Sequence, residues 1–268
     1  MSKGDSFGDR MKGYENHESG RRFISMLPVY ARIDGRCFSA FTRNMKRPYD
    51  PDMMEAMIRT TEALVAETHA KIGYTQSDEI SLIWLSERSD NSIFFDYRIA
   101  KMTSVLASYA TAAFMRSLRD VGMDKYIDAL PHFDCRVFQL PNRAEGANAF
   151  LWREQDATKN AISMAASSFY SHKELHQKSG PEKQEMLFMR GINFNNYPAS
   201  FKRGTFVRRE AVEREFTAEE LARIPEKHRP PAGSLVQRSE MIRMEMPPFG
   251  SVTNREAVIF DGATPTLK

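Results

Sequence analysis

Between Pro28 and Leu85 the sequence spells out strand, helix, strand, strand, an order that can bring the ends of separate strands to one place. Pro28 to Ile33 (PVYARI) reads as a short β-strand ending at Asp34-Gly35. Asp50-Pro51-Asp52 then marks a helix start: a capping carboxylate, proline at the first helical position and an acid in the first turn. Met54, Met57, Ile58, Thr61, Leu64, Val65 and Thr68 follow at helical spacing, and Gly73 is expected to close that helix. Ile72 to Gln76 and Ile80 to Leu85 are separated by the tight acidic turn Ser77-Asp78-Glu79, which predicts a β-hairpin with both acids near its tip.

Downstream, the pattern predicts a long helix over roughly Asp96 to Leu118, with Ile99, Met102, Leu106, Tyr109 and Ala113 on one face. Asp134 to Leu140 reads as a strand broken by Pro141-Asn142, and a further helix is expected from about Gly146 to Tyr170. A short helix after Gly180-Pro181, the loop Gly191 to Pro198 and a strand near Thr205 to Arg209 follow. A domain seam is expected near Leu140, dividing the chain into 1–140 and 141–268.

The chain is long enough, at 268 residues, for one large domain or two modest ones. Its net charge of +3 permits a polyanionic partner without demanding one. No apolar run approaches the roughly 18 residues that span a bilayer, and the polar opening MSKGDSFGDRMKGYE has no apolar core of a secretory signal. Cys37 and Cys135 cannot build a disulfide framework and lack metal-type spacing, so free thiols point to the cytoplasm. His172 and His176 have metal-type spacing, but in a polar segment they read as a solvated helix end. Trp84 and Trp152 are expected in the core rather than as base-stacking platforms.

Chemistry enters through the acids. Asp34 lies where a strand ends and Asp78 at the tip of a hairpin, so adjacent strands would let both carboxylates converge. Mg²⁺ takes oxygen ligands, typically one or two carboxylates plus substrate phosphates, and two such ions clamp an in-line phosphoryl displacement. Gly35, without a Cβ, lets backbone approach a metal or phosphate. Taken alone, Asp34-Gly35 reads as a turn and Asp78-Glu79 as a hairpin tip. Arg98 and Lys101 oppose the dipole at a helix start, as a triphosphate would favour and a purely structural account would not; a solvated face is the alternative. Arg47 and Asp50 are similar candidates, with Asp50 also readable as a plain N-cap.

At Arg32-Ile33-Asp34-Gly35-Arg36 followed by Gln76-Ser77-Asp78-Glu79, the chain resembles the tRNA-His guanylyltransferase family of 3′-to-5′ nucleotide polymerases. Asp9-Arg10-Met11-Lys12, Tyr14-Glu15 and Arg47-Pro48-Tyr49-Asp50 are similar to elements of its first half. So are Phe133-Asp134-Cys135-Arg136-Val137, where Cys135 replaces a glycine. Trp152-Arg153-x-x-Asp156, Gly191-Ile192-Asn193-Phe194-Asn195-Asn196 and Phe201-Lys202-Arg203-Gly204-Thr205 match its second half.

The resemblance implies an α+β fold: a polymerase- or cyclase-type palm, an antiparallel sheet with helices on one face, plus a C-terminal α+β extension. It implies a nucleotidyltransferase with Asp34, Asp78 and Glu79 as catalytic acids, and Asp34, Gly35 and Asp78 as ligands of two Mg²⁺ ions. Asp34 to Ser39 (with Arg36, Cys37 and Phe38), Ser77 and Asn160 would line the nucleotide site, and Arg47, Asp50, Arg98 and Lys101 would hold a triphosphate. ATP and GTP or other nucleoside triphosphates would be substrates, with tRNA as partner, bound through Lys202, Arg203, Arg208 and Arg209. A cytoplasmic homo-tetramer, a dimer of dimers without membrane contact, is implied as well.

One departure shapes the functional expectation. The eukaryotic members carry His-Ile-Asn-Asn-Leu-Tyr-Asn where this chain has Thr158-Lys159-Asn160-Ala161-Ile162-Ser163-Met164, keeping only the first Asn as Asn160. The chain is therefore more similar to bacterial, archaeal and viral members, which add nucleotides 3′-to-5′ to truncated tRNAs on a template base. Non-templated guanylyl addition to tRNA-His is the alternative. A nucleotidyl cyclase and a catalytically silent tRNA-binding module are the remaining rivals.

Overall fold

The computed structural model describes residues 6–231 and 233–268. Met1 to Asp5, the start of the polar opening segment, lie outside the described residues. The elements are α1 (Ser6–Ser19), β1 (Val29–Gly35), α2 (Phe38–Phe41), α3 (Pro51–Thr68), β2 (Ile72–Gln76), β3 (Glu79–Trp84), α4 (Ile99–Asp120), β4 (Phe133–Gln139) and α5 (Arg143–Ser167). They continue as α6 (His172–Leu175), α7 (Gly180–Met189), α8 (Ala199–Arg203), β5 (Thr205–Glu215), α9 (Ala218–Arg223), β6 (Leu235–Met244) and α10 (Arg255–Phe260).

The six strands form one antiparallel sheet in the order β4-β1-β3-β2-β5-β6. Period-two alternation sorts their side chains into two cores. Val29, Ala31, Ile33, Ile80, Leu82 and Trp84 face α3 and α4, where Leu64, Val65, Leu106 and Phe114 are fully buried. Each such side chain contributes roughly 1.5–3 kcal/mol of burial. Tyr30, Ile72, Tyr74 and Ile83 face the other way, against Phe150 of α5 and Phe260 of α10. The first half thus places its helices on one face, as expected of a palm, and the second half covers the other.

The predicted helix start at Asp50 is present: its side chain accepts from the Asp52 and Met53 amides at 3.0 and 3.4 Å. The stop is different. His69, at φ 54°, ends α3, and Gly73 lies inside β2. A Cβ on Gly73 would meet Val65 at 2.6 Å and Thr61 at 2.8 Å, so the glycine is set by close crossing of helix and strand.

Other boundaries move for identifiable reasons. The helix expected from Asp96 begins at Ile99, because Phe95, Asp96 and Tyr97 have positive φ and no helical turn can pass through them. The helix expected from Gly146 begins at Arg143, because Asn142 caps it by accepting from the Glu145 amide at 2.8 Å. The strand expected at Thr205–Arg209 extends to Glu215 as half of a long ribbon with β6, a strand not expected from the sequence. Arg243 of β6 ties that ribbon to α3 by gripping both Glu55 and Glu62, with contacts of 2.6–3.1 Å.

A third apolar cluster joins α5, α7 and α8 through Ala161, Ala165, Leu187 and Phe201. Phe201 stacks on Tyr49 at 4.6 Å between centroids. Two distant motifs, Arg47-Pro48-Tyr49-Asp50 and Phe201-Lys202-Arg203, are therefore one packed unit beside the start of α3.

Candidate active site

The two aspartates do converge. β1 pairs with β3 so that Asp34 stands opposite Glu79, and the Gly35 amide donates to the Asp78 carbonyl at 3.0 Å. Ser77 and Asp78 form the two-residue hairpin loop, with Ser77 at φ 55° turning the chain back. Asp34, Arg47, Gln76, Ser77, Asp78, Glu79, Arg153 and Asn160 line one open cavity of about 670 Å³ between the sheet end and α5. A second, more apolar cavity of about 320 Å³ lies behind the hairpin loop and shares Arg47, Gln76, Ser77, Asp78 and Met164 with the first. The loop is thus a partition between a polar chamber and an apolar one.

The two aspartates are close enough for the charge of Asp34 to act on Asp78. Burial pushes the Asp78 carboxyl above its ordinary value and the Asp34 charge adds to this, against the Ser77 hydroxyl and its own backbone, which pull it down. A partly buried carboxylate beside a second one is the arrangement a divalent cation relieves. Among the described residues no group of three or more His, Cys, Asp or Glu gathers to hold a metal. Two carboxylates in an oxygen-lined cavity open to substrate match Mg²⁺, which leaves much of its shell to water and phosphate.

Glu79 is differently employed. Arg153 Nε and Nη2 donate to its two oxygens at 2.5 and 2.8 Å, and Arg32 approaches at 3.7 Å. Burial raises the Glu79 carboxyl above its usual range, and the Arg153 bond and charge offset only part of that rise. Arg153 is in turn 3.2 Å from Asp156, one turn along α5. In the sequence, the only signal for this role of Arg153 is its i,i+3 cation–acid spacing to Asp156 within Trp152-Arg153-x-x-Asp156.

The remaining candidates divide. Asn160 and Ser77 sit on the polar cavity wall, and Ser39 lines the apolar one. Arg36 and Cys37 are exposed just past β1. Phe38 is buried at 3% exposure among Phe41, Phe114 and Phe133, so its ring is chiefly core. That ring also explains Gly35: a Cβ there would meet Phe38 at 2.4 Å, so the glycine answers to packing as well as to any ligand. Asp50 uses its carboxylate on the amides of Lys46, Asp52 and Met53, which makes it a cap that orders the loop beside Arg47.

Arg98 and Lys101 do not reach the aspartates within this chain. Arg98 is the N-cap of α4 rather than a helical residue, and α4 starts near Trp84 and Val29, where Trp84 stacks on Phe94. The aspartates lie at the opposite end of β1, roughly 17 Å away along the strand. The basic patch expected from Lys202, Arg203, Arg208 and Arg209 is also largely committed to structure. Arg208 is buried at 8% and bonds Glu210 and the Ala263 carbonyl. Arg209 caps the end of α3 through the Ala66 carbonyl and His69. Arg203 lies 3.8 Å from the buried Glu154, and Lys202 bonds the Asn195 carbonyl. Their alternation along β5 hid this: Arg208 and Arg209 face opposite sides of the sheet.

Trp152 departs from expectation as well. Trp84 is core at 2% exposure, whereas Trp152 is 50% exposed.

A palm-like antiparallel sheet that sets two carboxylates at one end, beside a chamber lined by Arg47 and Arg153, is the architecture of a nucleotidyltransferase. The comparisons narrow the class. Residues 8–141 match the family model described as tRNAHis guanylyltransferase, and the chain belongs to that family. It is similar to the solved bacterial tRNA(His) guanylyltransferase-like protein in complex with ATP, at 39% identity and TM-score 0.70, over 75% of this chain and 88% of that one. The GTP complex of such a bacterial protein aligns at 32% identity and TM-score 0.71, covering 92% and 94%. The curated tRNA(His) guanylyltransferase of Schizosaccharomyces pombe is 26% identical over 77% of this chain and 83% of its own.

Proposed function

We propose that this nucleotidyltransferase adds nucleotides 3′-to-5′ to the 5′ end of truncated tRNA, choosing each by pairing with the opposing base. The observation that carries the reading is the shared chamber of Asp34, Asp78, Arg47 and Asn160, closed behind by an apolar cavity. Templating is favoured by the absence of the eukaryotic His-Ile-Asn-Asn-Leu-Tyr-Asn segment, of which Asn160 alone remains.

In this reading, Asp34 and Asp78, with the Gly35 carbonyl, would hold two Mg²⁺ ions, which would supply polarisation of the phosphoryl group and a lowered pKa of the attacking hydroxyl. Arg47 and Asn160 bind phosphate oxygens in the polar chamber, while the segment Asp34 to Ser39 and the apolar cavity receive the nucleoside. The tRNA 5′ end is activated by ATP or enters as a triphosphate. The 3′-hydroxyl of the incoming nucleotide attacks the activated 5′ phosphorus, a new phosphodiester bond forms, and AMP or pyrophosphate leaves. Arg153 holds Glu79, so that Glu79 buttresses the sheet end beside Asp34 rather than binding metal.

Residues 1–140 serve as the catalytic palm and 141–268 as the family-specific extension that meets tRNA. Arg98 and Lys101 act on a nucleotide only from a neighbouring protomer of a homo-tetramer, given their place at the far end of the sheet. The protein works in the cytoplasm; no described helix is long and apolar enough to cross a membrane.

The test is direct. A tRNA lacking its first 5′ nucleotide is prepared with each of four opposing bases, and kcat/KM is measured for each NTP. Addition that follows the opposing base supports templated repair, since each completed pair gains stacking of order 1–2 kcal/mol. A fixed preference for G on tRNA-His alone overturns it.

A further inference from the structure

Trp152 stands half exposed on α5 although its neighbours Phe150 and Glu154 are buried. Two cations brace its ring: the Arg153 guanidinium carbon is 4.5 Å from the centroid and that of Arg32 is 5.8 Å away. Both guanidiniums are drawn to the single Glu79 carboxylate, so they support the indole from the Glu79 side and leave its remaining surface to solvent. The surface continues onto the sheet edge. Arg136 of β4 pairs in register with Arg32, as Asp134 does with Asp34, and alternation puts all four on the face that α5 covers only in part. Arg136 is 56% exposed and only 3.6 Å from Asp134, a rim ion pair worth little that can exchange for phosphate.

A rigid, open aromatic held by arginines beside reactive carboxylates is a nucleobase platform, because every base offers a π-face and the cations meet its phosphates. The open end of an acceptor stem presents such a face one step from the 5′ phosphate that must reach Asp34. Resting on the tRNA reading above, we propose that Trp152 stacks on the terminal base of the acceptor stem, with Arg32 and Arg136 flanking its backbone. Trp152 then sets the depth to which the stem enters, independently of the nucleotide held in the chamber.

The chain has two tryptophans, and Trp84 is buried at 2%, so acrylamide quenching reads Trp152 in the unmodified protein. Saturation with a tRNA lacking its first 5′ nucleotide is expected to shield Trp152, whereas ATP or GTP alone leaves its quenching unchanged. Trp152→Ala is expected to weaken tRNA binding roughly tenfold or more, with the KM for NTP unchanged, and Trp152→Phe to recover most of the loss. Bound tRNA with Trp152 still fully quenched overturns the platform, as does a Trp152→Ala affinity within twofold of wild type. Shielding by NTP alone overturns the acceptor-end assignment. Failure of wild-type protein to bind any tRNA would instead overturn the function itself.

Discussion

Both oxygens of the Glu79 carboxylate are held by one guanidinium, that of Arg153, at 2.5 and 2.8 Å across the gap between β3 and α5. The pair is 15% and 11% exposed. It couples the hairpin that carries Asp78 to a helix more than seventy residues away in the chain.

Removing one member leaves a buried charge without its partner. Arg153→Met is expected to lower unfolding free energy by roughly 3–5 kcal/mol and to abolish activity, because the sheet end no longer holds its position. The double variant Glu79→Gln, Arg153→Met restores most of the stability. Chemical denaturation of the three proteins checks this, and a single variant within 1 kcal/mol of wild type contradicts it.

Asp34→Asn and Asp78→Asn are each expected to abolish nucleotide addition, as is chelation of divalent metal from wild-type protein. In chelated buffer, however, Asp78→Asn is expected to melt no lower than wild type, since it relieves a buried carboxylate beside Asp34. Mg²⁺ should raise the wild-type melting temperature by binding the native state and leave the variant unmoved. Near-normal turnover in either variant would refute the metal assignment.

The placement of Arg98 and Lys101 predicts intermolecular complementation. Asp34→Ala protein and Arg98→Ala/Lys101→Ala protein are each expected to be inactive or weak, whereas a mixture allowed to exchange subunits regains activity. No gain on mixing, with NTP KM unchanged in the double variant, would assign these cations to a solvated face.

Arg243 provides a pH-dependent tie between ribbon and palm. Its bond lowers the Glu55 carboxyl below the ordinary 4.5. A depressed carboxylate pKa contributes stability that is fully present above the unfolded value and lost as pH falls through the folded one. Arg243→Ala should therefore cost about 1 kcal/mol near pH 7, a value discounted for partial exposure, and the difference should shrink below pH 4. A difference constant from pH 7 to pH 3 would show that the pair is electrostatically idle.

Sequence alone determined the parts of this protein that obey local rules. Asp50-Pro51-Asp52 fixes a helix start by hydrogen bonding within four residues, and Ser77-Asp78 between apolar runs fixes a hairpin; both are legible without a partner. The convergence of Asp34 and Asp78 on one cavity follows from those elements, because a strand end and a two-residue loop leave them one place to go. Tertiary structure decided what depends on neighbours remote in the chain. It turned Gly73 from a helix stop into a crossing point and committed Arg208 and Arg209 to opposite faces of a strand. It set Arg98 and Lys101 at the wrong end of the sheet for their own aspartates, and brought Arg153 onto Glu79. It also left Trp152 in solvent, since burial is a property of what packs on a residue and not of the residue's type.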